Sequence, residues 1–147
     1  METNITMHFT IEEMYASDTA KRLGINNKPS LQQTINLVYL CAYVLEPLRV
    51  AMGKPINISS GFRSQTLNKA VGGVYNSQHL KGQAADIDIH GDMAFGKKIF
   101  EYIRDHLPFD QLIWEHSKSG TYWVHVSFVY PDFGKNRKNV INNLEKK

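Results

Sequence analysis

Ser59–Asp88 reads SSGFRSQTLNKAVGGVYNSQHLKGQAADID and gathers an arginine, a histidine, aspartate and four glycines into one stretch. Its end decides the fold. From Ala84 to His90 apolar and polar residues alternate: Ala85, Ile87 and Ile89 point one way, Asp86, Asp88 and His90 the other. That is the pattern of a strand with one face on a core. Upstream, Pro55–Ser59 reads as another strand through Ile56 and Ile58. Between the two, SGFRS is a turn and SQTLNKAV a short helix ended by Gly72-Gly73.

Downstream, Asp92 is placed to cap a helix through about Leu107, with Phe95, Ile99, Tyr102 and Ile103 on its buried side and Pro108 as its stop. Asp110–His116 and Tyr122–Tyr130 follow as a hairpin. The loop Lys118-Ser119-Gly120 fits a type I turn closed by a left-handed glycine. That turn pairs Ser117 with Thr121, Glu115 with Trp123 and Ile113 with His125. Leu112, Trp114, Val124, Val126 and Phe128 then share an apolar face, and Ile113, Glu115, Trp123, His125 and Ser127 share the other. A slip of one residue would mix the two sets. In this register Glu115 and His125 are diagonal neighbours on one face, roughly 7–8 Å apart at Cα. A carboxylate so placed reaches the surroundings of a metal-binding histidine; an exposed strand residue is the equal alternative.

Towards the N-terminus, residues 8–23 read as a helix opened by a Thr10/Glu13 capping box, stapled by Phe9 and Met14 and stopped at Gly24. After the loop INNKPS, Ser30 and Gln33 open a second helix that runs to Gly53, with Pro47 kinking it or starting a new one. Beyond Pro131 the chain is a polar tail, residues 132–147 being expected to be poorly ordered. Helices followed by antiparallel strands give an α+β fold: a small antiparallel sheet packed against N-terminal and central helices.

The 147 residues suit one domain with one core, and 42% hydrophobic and 21% charged residues are ordinary for a globular chain. The net charge of +3 is scattered, which speaks for a solvated surface over a nucleic-acid partner. The single cysteine, Cys41, excludes an intrachain disulfide, reads as a small buried hydrophobe, and leaves any metal to histidines and carboxylates. The N-terminus lacks the pattern of a secretory signal, so a cytoplasmic protein is expected as synthesised. The apolar run Leu37–Leu45 is too short to span a bilayer, so no membrane insertion is expected. A monomer is expected.

His79 and Asp86 are separated by six residues, among them Gly82 and the small Ala84 and Ala85, which permit a tight return. His125 offers a third ligand from a separate strand. Two histidines and one aspartate leave a tetrahedral position open, the arrangement of a catalytic zinc whose water is acidified towards pH ~7. His8 and His106 fall at helix ends and His116 on the far face of the hairpin. His90 lies about 13 Å from Asp86 along the strand. Asp88 reads either as a group orienting a ligand histidine or as a solvated carboxylate. Arg63, on its glycine turn, suits a carboxylate or a developing oxyanion.

Three motifs now coincide. Ser77–Asp86, SQHLKGQAAD, fits S-x-H-x-x-G-x-A-x-D and resembles the zinc D-alanyl-D-alanine peptidases of bacterial cell walls, which include carboxypeptidases, dipeptidases and phage endolysin peptidases. Ser60–Ser64 resembles their S-G-[FY]-R motif and Trp123–Ser127 their W-x-H-x-S strand. The resemblance covers about Ile56 to Phe128. It implies a Hedgehog/DD-peptidase fold, one zinc per chain on His79, Asp86 and His125, Arg63 on the scissile carbonyl or a substrate carboxylate, and Ser77 in contact with substrate. The dipeptidases carry a catalytic Glu three residues before the last ligand; here that position is Tyr122. Glu115, nominated by the hairpin and similar to the I-W-E strand of shorter phage-like members, is the expected general base. The expected function is hydrolysis of a peptidoglycan stem peptide at a D-Ala bond. Cleavage of L-Ala–D-Glu, or a non-catalytic zinc-containing wall-binding module, are the alternatives.

Overall fold

The computed structural model describes residues 2–131 and 134–145. Five strands form one sheet: β1 Asn57–Ser60, β2 Ala84–Asp88, β3 Gln111–His116, β4 Tyr122–Ser127 and β5 Asn139–Asn142, in the order β1-β2-β4-β3-β5. All neighbours are antiparallel except β5, which lies parallel to β3. The helices are α1 Asp18–Leu23, α2 Leu31–Leu40, α3 Glu46–Met52, α4 Gln65–Ala70 and α5 Met93–His106. The α+β architecture is the one the sequence implies.

The hairpin has the register that its turn dictates. Ile113 pairs with His125 and Glu115 with Trp123. Ser117 N–H donates to Thr121 O at 2.8 Å, and Gly120 sits at φ 90°, which a side chain would resist. Leu112, Trp114, Val124, Val126 and Phe128 are all buried, as one apolar face requires. Beneath that face pack α5 and the long helical run that holds Leu37, Leu40, Val44, Leu45 and Leu48. Each such side chain contributes about 1.5–3 kcal/mol by burial. The opposite face of the sheet carries Asp86, Glu115 and His125.

Pro47 does not break its helix. Cys41–Leu45 widens into a π turn, in which Glu46 N–H reaches Cys41 O five residues back. The extra residue moves the carbonyls that the proline ring would strike, and α3 continues. The helical stretch Leu31–Met52 is thus 22 residues, long and apolar enough by length and composition to cross a bilayer. This is longer than the apolar run alone suggests, yet its apolar stripe is committed to the core. Cys41 is fully buried there, and burial pushes its thiol up, out of nucleophilic range.

Two expectations give way. The Thr10/Glu13 box forms, with Thr10 N–H on Glu13 Oε2 at 2.9 Å and Glu13 N–H on Thr10 Oγ1 at 3.2 Å. It closes only the 3₁₀ turn Glu12–Met14, and a new cap at Ser17 starts α1. The carbonyls that would continue the first helix are taken: Met14 O accepts Phe62 N–H at 2.7 Å, and Tyr15 O accepts Asn27 Nδ2 at 2.8 Å. The second concerns the tail expected to be poorly ordered over 132–147. Of its described residues, Asn139–Asn142 form β5, because the exposed edge of β3 offers unpaired backbone groups to any adjacent extended segment. Residues 132, 133, 146 and 147 lie outside the described part.

Candidate metal centre

β2 runs between β1 and β4, and Asp86 faces Ser60 on one side and His125 on the other. The pleat therefore sets a carboxylate directly beside an imidazole on the sheet's polar face. His79 comes from a 3₁₀ turn, Gln78–Lys81, capped by Ser77, whose Oγ accepts His79 N–H at 3.1 Å. Gly82 ends that turn at φ 73°. A Cβ there would also meet the Gln33 carbonyl of α2, so glycine is needed twice over. Two side chains of α2 hold the turn from outside: Gln33 Nε2 donates to Leu80 O at 3.1 Å and Asn36 Nδ2 to Lys81 O at 2.8 Å.

His79 is 2% exposed, and its Nδ1 lies 2.6 Å from Gly61 O. A carbonyl only accepts, so Nδ1 carries the proton and Nε2 is left with its lone pair. That Nε2 lies 3.3 Å from Asp86 Oδ1, and His125 Nδ1 lies 2.9 Å from the same oxygen. The three ligand atoms all fall within 4.8 Å of one another. A tetrahedral zinc at about 2.0–2.1 Å from each ligand separates neighbouring ligand atoms by about 3.3 Å, so the trio fits that ion in both spacing and donor chemistry. Burial acts against charge on Asp86, yet the His79 and His125 imidazoles beside it hold its carboxyl well below the usual carboxylate range. It is therefore a ready anionic ligand.

Glycine is required at position 61, because a Cβ there would collide with the Met14 carbonyl. The turn after it is riveted by Asn27, which is buried. Its Nδ2 donates to Phe62 O at 3.1 Å as well as to Tyr15 O, and its Oδ1 accepts Ser64 N–H at 2.7 Å. Arg63 N–H donates to His79 O at 3.0 Å, which ties the turn to the ligand segment. The Arg63 side chain lines the same cleft as the trio, and its Nε is a buried donor without a partner among the described residues. Burial draws its pKa below the ordinary value against the opposing pull of Asp86 and Glu115. Glu115 also lines this cleft, and its Oε2 accepts Trp123 Nε1–H at 3.2 Å. The cleft is about 700 Å³ and extends past Ser77 and Gln78 to Asp110, Gln111 and Arg137.

All six residues singled out from the sequence thus line one cleft: Arg63, Ser77, His79, Asp86, Glu115 and His125. The other histidines lie elsewhere. His8 bonds Glu46 at 2.6 Å, His90 leaves the strand at φ 51° to meet Asp88, and His106 and His116 pack on Tyr102 and Tyr122. Asp88 receives His90 N–H at 2.8 Å, and the group orienting His79 is the Gly61 carbonyl. Sequence reasoning missed Asn27, Asn36 and the second bond of Gln33, since an amide in a loop or on a helix gives no sign of a distant backbone partner.

A family model described as Peptidase M15 matches residues 7–127. The chain belongs to the peptidase M15 family. Within it, this chain is similar to a zinc D-Ala-D-Ala carboxypeptidase of Streptomyces albus G, 54% identical over 44 residues. Those residues make up 29% of this chain and 17% of that protein, so this M15 chain matches only a small part of that relative's length.

Proposed function

We propose that the chain is a zinc metallopeptidase that hydrolyses peptidoglycan stem peptides, releasing a terminal D-alanine. The observation that carries this reading is the convergence of the His79–Asp86–His125 trio with Arg63 and Glu115 in one cleft. His79, Asp86 and His125 would hold a zinc ion, which when bound would supply Lewis-acid polarisation of a carbonyl and acidify a water towards neutral pH.

The chain's own groups do the rest. Glu115 Oε2 is fixed by the Trp123 indole, leaving Oε1 to take a proton from the attacking water and return it to the leaving amine. Arg63 Nε, already dehydrated and without a partner among the described residues, donates to the scissile carbonyl or a substrate carboxylate. Ser77 Oγ accepts from His79 N–H and keeps its own hydrogen for the substrate. Tyr122 cannot replace Glu115: three residues before His125, the pleat turns it to the opposite face, where it packs on His116.

A second reading, cleavage between L-Ala and D-Glu, draws on the length of the cleft beyond the trio. Digestion of sequence-defined muropeptides by the zinc-loaded protein, followed by mass spectrometry, separates the two. Loss of one D-alanine is expected. Scission after L-Ala would install the second reading, and intact peptides throughout would reject both.

A further inference from the structure

One residue of the cleft's far end, Arg137, lies outside the family match. Residues 136–142 form a strap along β3. Asn136 Oδ1 accepts Val129 N–H and Nδ2 donates to Val129 O, both at 2.9 Å. Asn139 N–H donates to Asp110 O at 2.9 Å, and β5 then pairs with β3. Between these anchors stands Arg137, which lines the cleft.

Its guanidinium is oriented by a buried acid. Asp110, whose side chain is 5% exposed, accepts Arg137 Nε at 3.0 Å, Nη2 at 2.9 Å and the backbone N–H at 2.9 Å. Gln78, the neighbour of His79, lines the same cleft as Asp110. The fork is therefore held by one buried carboxylate, while the arginine side chain remains 60% exposed. Nη1 has no bonding partner among the described residues. A cation fixed in this way, with donors left over, is suited to a planar anion. Arg63 lines the same cleft, so the two guanidinium groups share one binding surface.

We propose that Arg137 binds a substrate carboxylate, so that the preferred substrate is an acidic peptide. The proposal rests on the peptidase reading and names its substrate class. A stem peptide presents two such groups: the α-carboxylate of a γ-linked glutamate and the terminal carboxylate. Both have the chemistry the fork recognises.

Three otherwise identical stem peptides test this: the free acid, one with the glutamyl carboxyl as carboxamide, and one with the terminal carboxyl as carboxamide. For each, kcat/KM and, by calorimetry, Kd are measured with the zinc-loaded protein. The wild type should prefer the free acid over one of the two carboxamides by about 10- to 100-fold. Arg137→Gln should lower the free acid to the level of that carboxamide, and Arg137→Lys should restore part of the preference. Equal losses on all three peptides, as a folding defect would give, overturn the proposal, as does a wild type that does not discriminate. If no peptide is cleaved but Kd still discriminates through Arg137, the carboxylate site stands and the peptidase reading falls.

Discussion

Each ligand atom in this cleft owes its aim to backbone. His79 donates to the Gly61 carbonyl and receives its cap from Ser77, and Asp86 and His125 are cross-strand partners. Glu115 differs, since it is fixed by a side chain, the Trp123 indole. That makes it a carboxylate near the metal group without a place in it. Glu115→Gln should keep the shape and the Trp123 bond, bind zinc with unchanged stoichiometry, and lower kcat by about 10²- to 10⁴-fold. Steady-state kinetics beside metal analysis checks this, and full activity in the variant would remove Glu115 as the base. The nomination of these residues was possible from sequence because a two-residue period and a glycine turn determine which strand residues share a face. Asn27 was illegible: its three hydrogen-bonding partners come from Tyr15 and from the Phe62–Ser64 turn, and nothing local announces them.

At the scale of elements, local signals succeeded where no distant group competed for the backbone. The Ser30/Gln33 box opens α2, Asp92 caps α5 and the hairpin keeps its register. The first helix failed because Phe62 and Asn27 claim its carbonyls, and the π turn before Pro47 is a compromise that only packing reveals. The strap was illegible because its strand is polar, its pairing is parallel and its principal anchor is the Asp110–Arg137 pair. That pair makes a pH prediction. The Arg137 hydrogen bond, acting against burial, holds the Asp110 carboxyl below its ordinary value. A carboxyl with a folded pKa below its unfolded value near ~3.9 stabilises the fold above that pH, and the contribution is lost as pH falls through the folded value. Asp110→Asn should therefore lower Tm at neutral pH, with the gap to wild type closing below about pH 4. A gap constant across the acid range, by calorimetry, would show that the pair carries no such charge-dependent role.

Across the whole molecule, one sheet divides the work. Its apolar face rests on α5 and the Leu31–Met52 run, which frees the other face to hold charged groups at fixed spacing. The three motifs that resemble the zinc cell-wall peptidases are the three places where chain distant in sequence meets on that face, and this is why a short pattern could reveal both the family and the metal group. What such motifs omit is the strap, which completes the far end of the cleft from outside them. The central claim, that His79, Asp86 and His125 hold one zinc on which peptide hydrolysis depends, is tested most directly by titrating metal-free protein with zinc while following hydrolysis of a defined stem peptide. Activity should rise in proportion to zinc and saturate at one ion per chain, and His125→Ala should show no rise. Hydrolysis indifferent to added zinc, or undiminished in His125→Ala, would contradict the account.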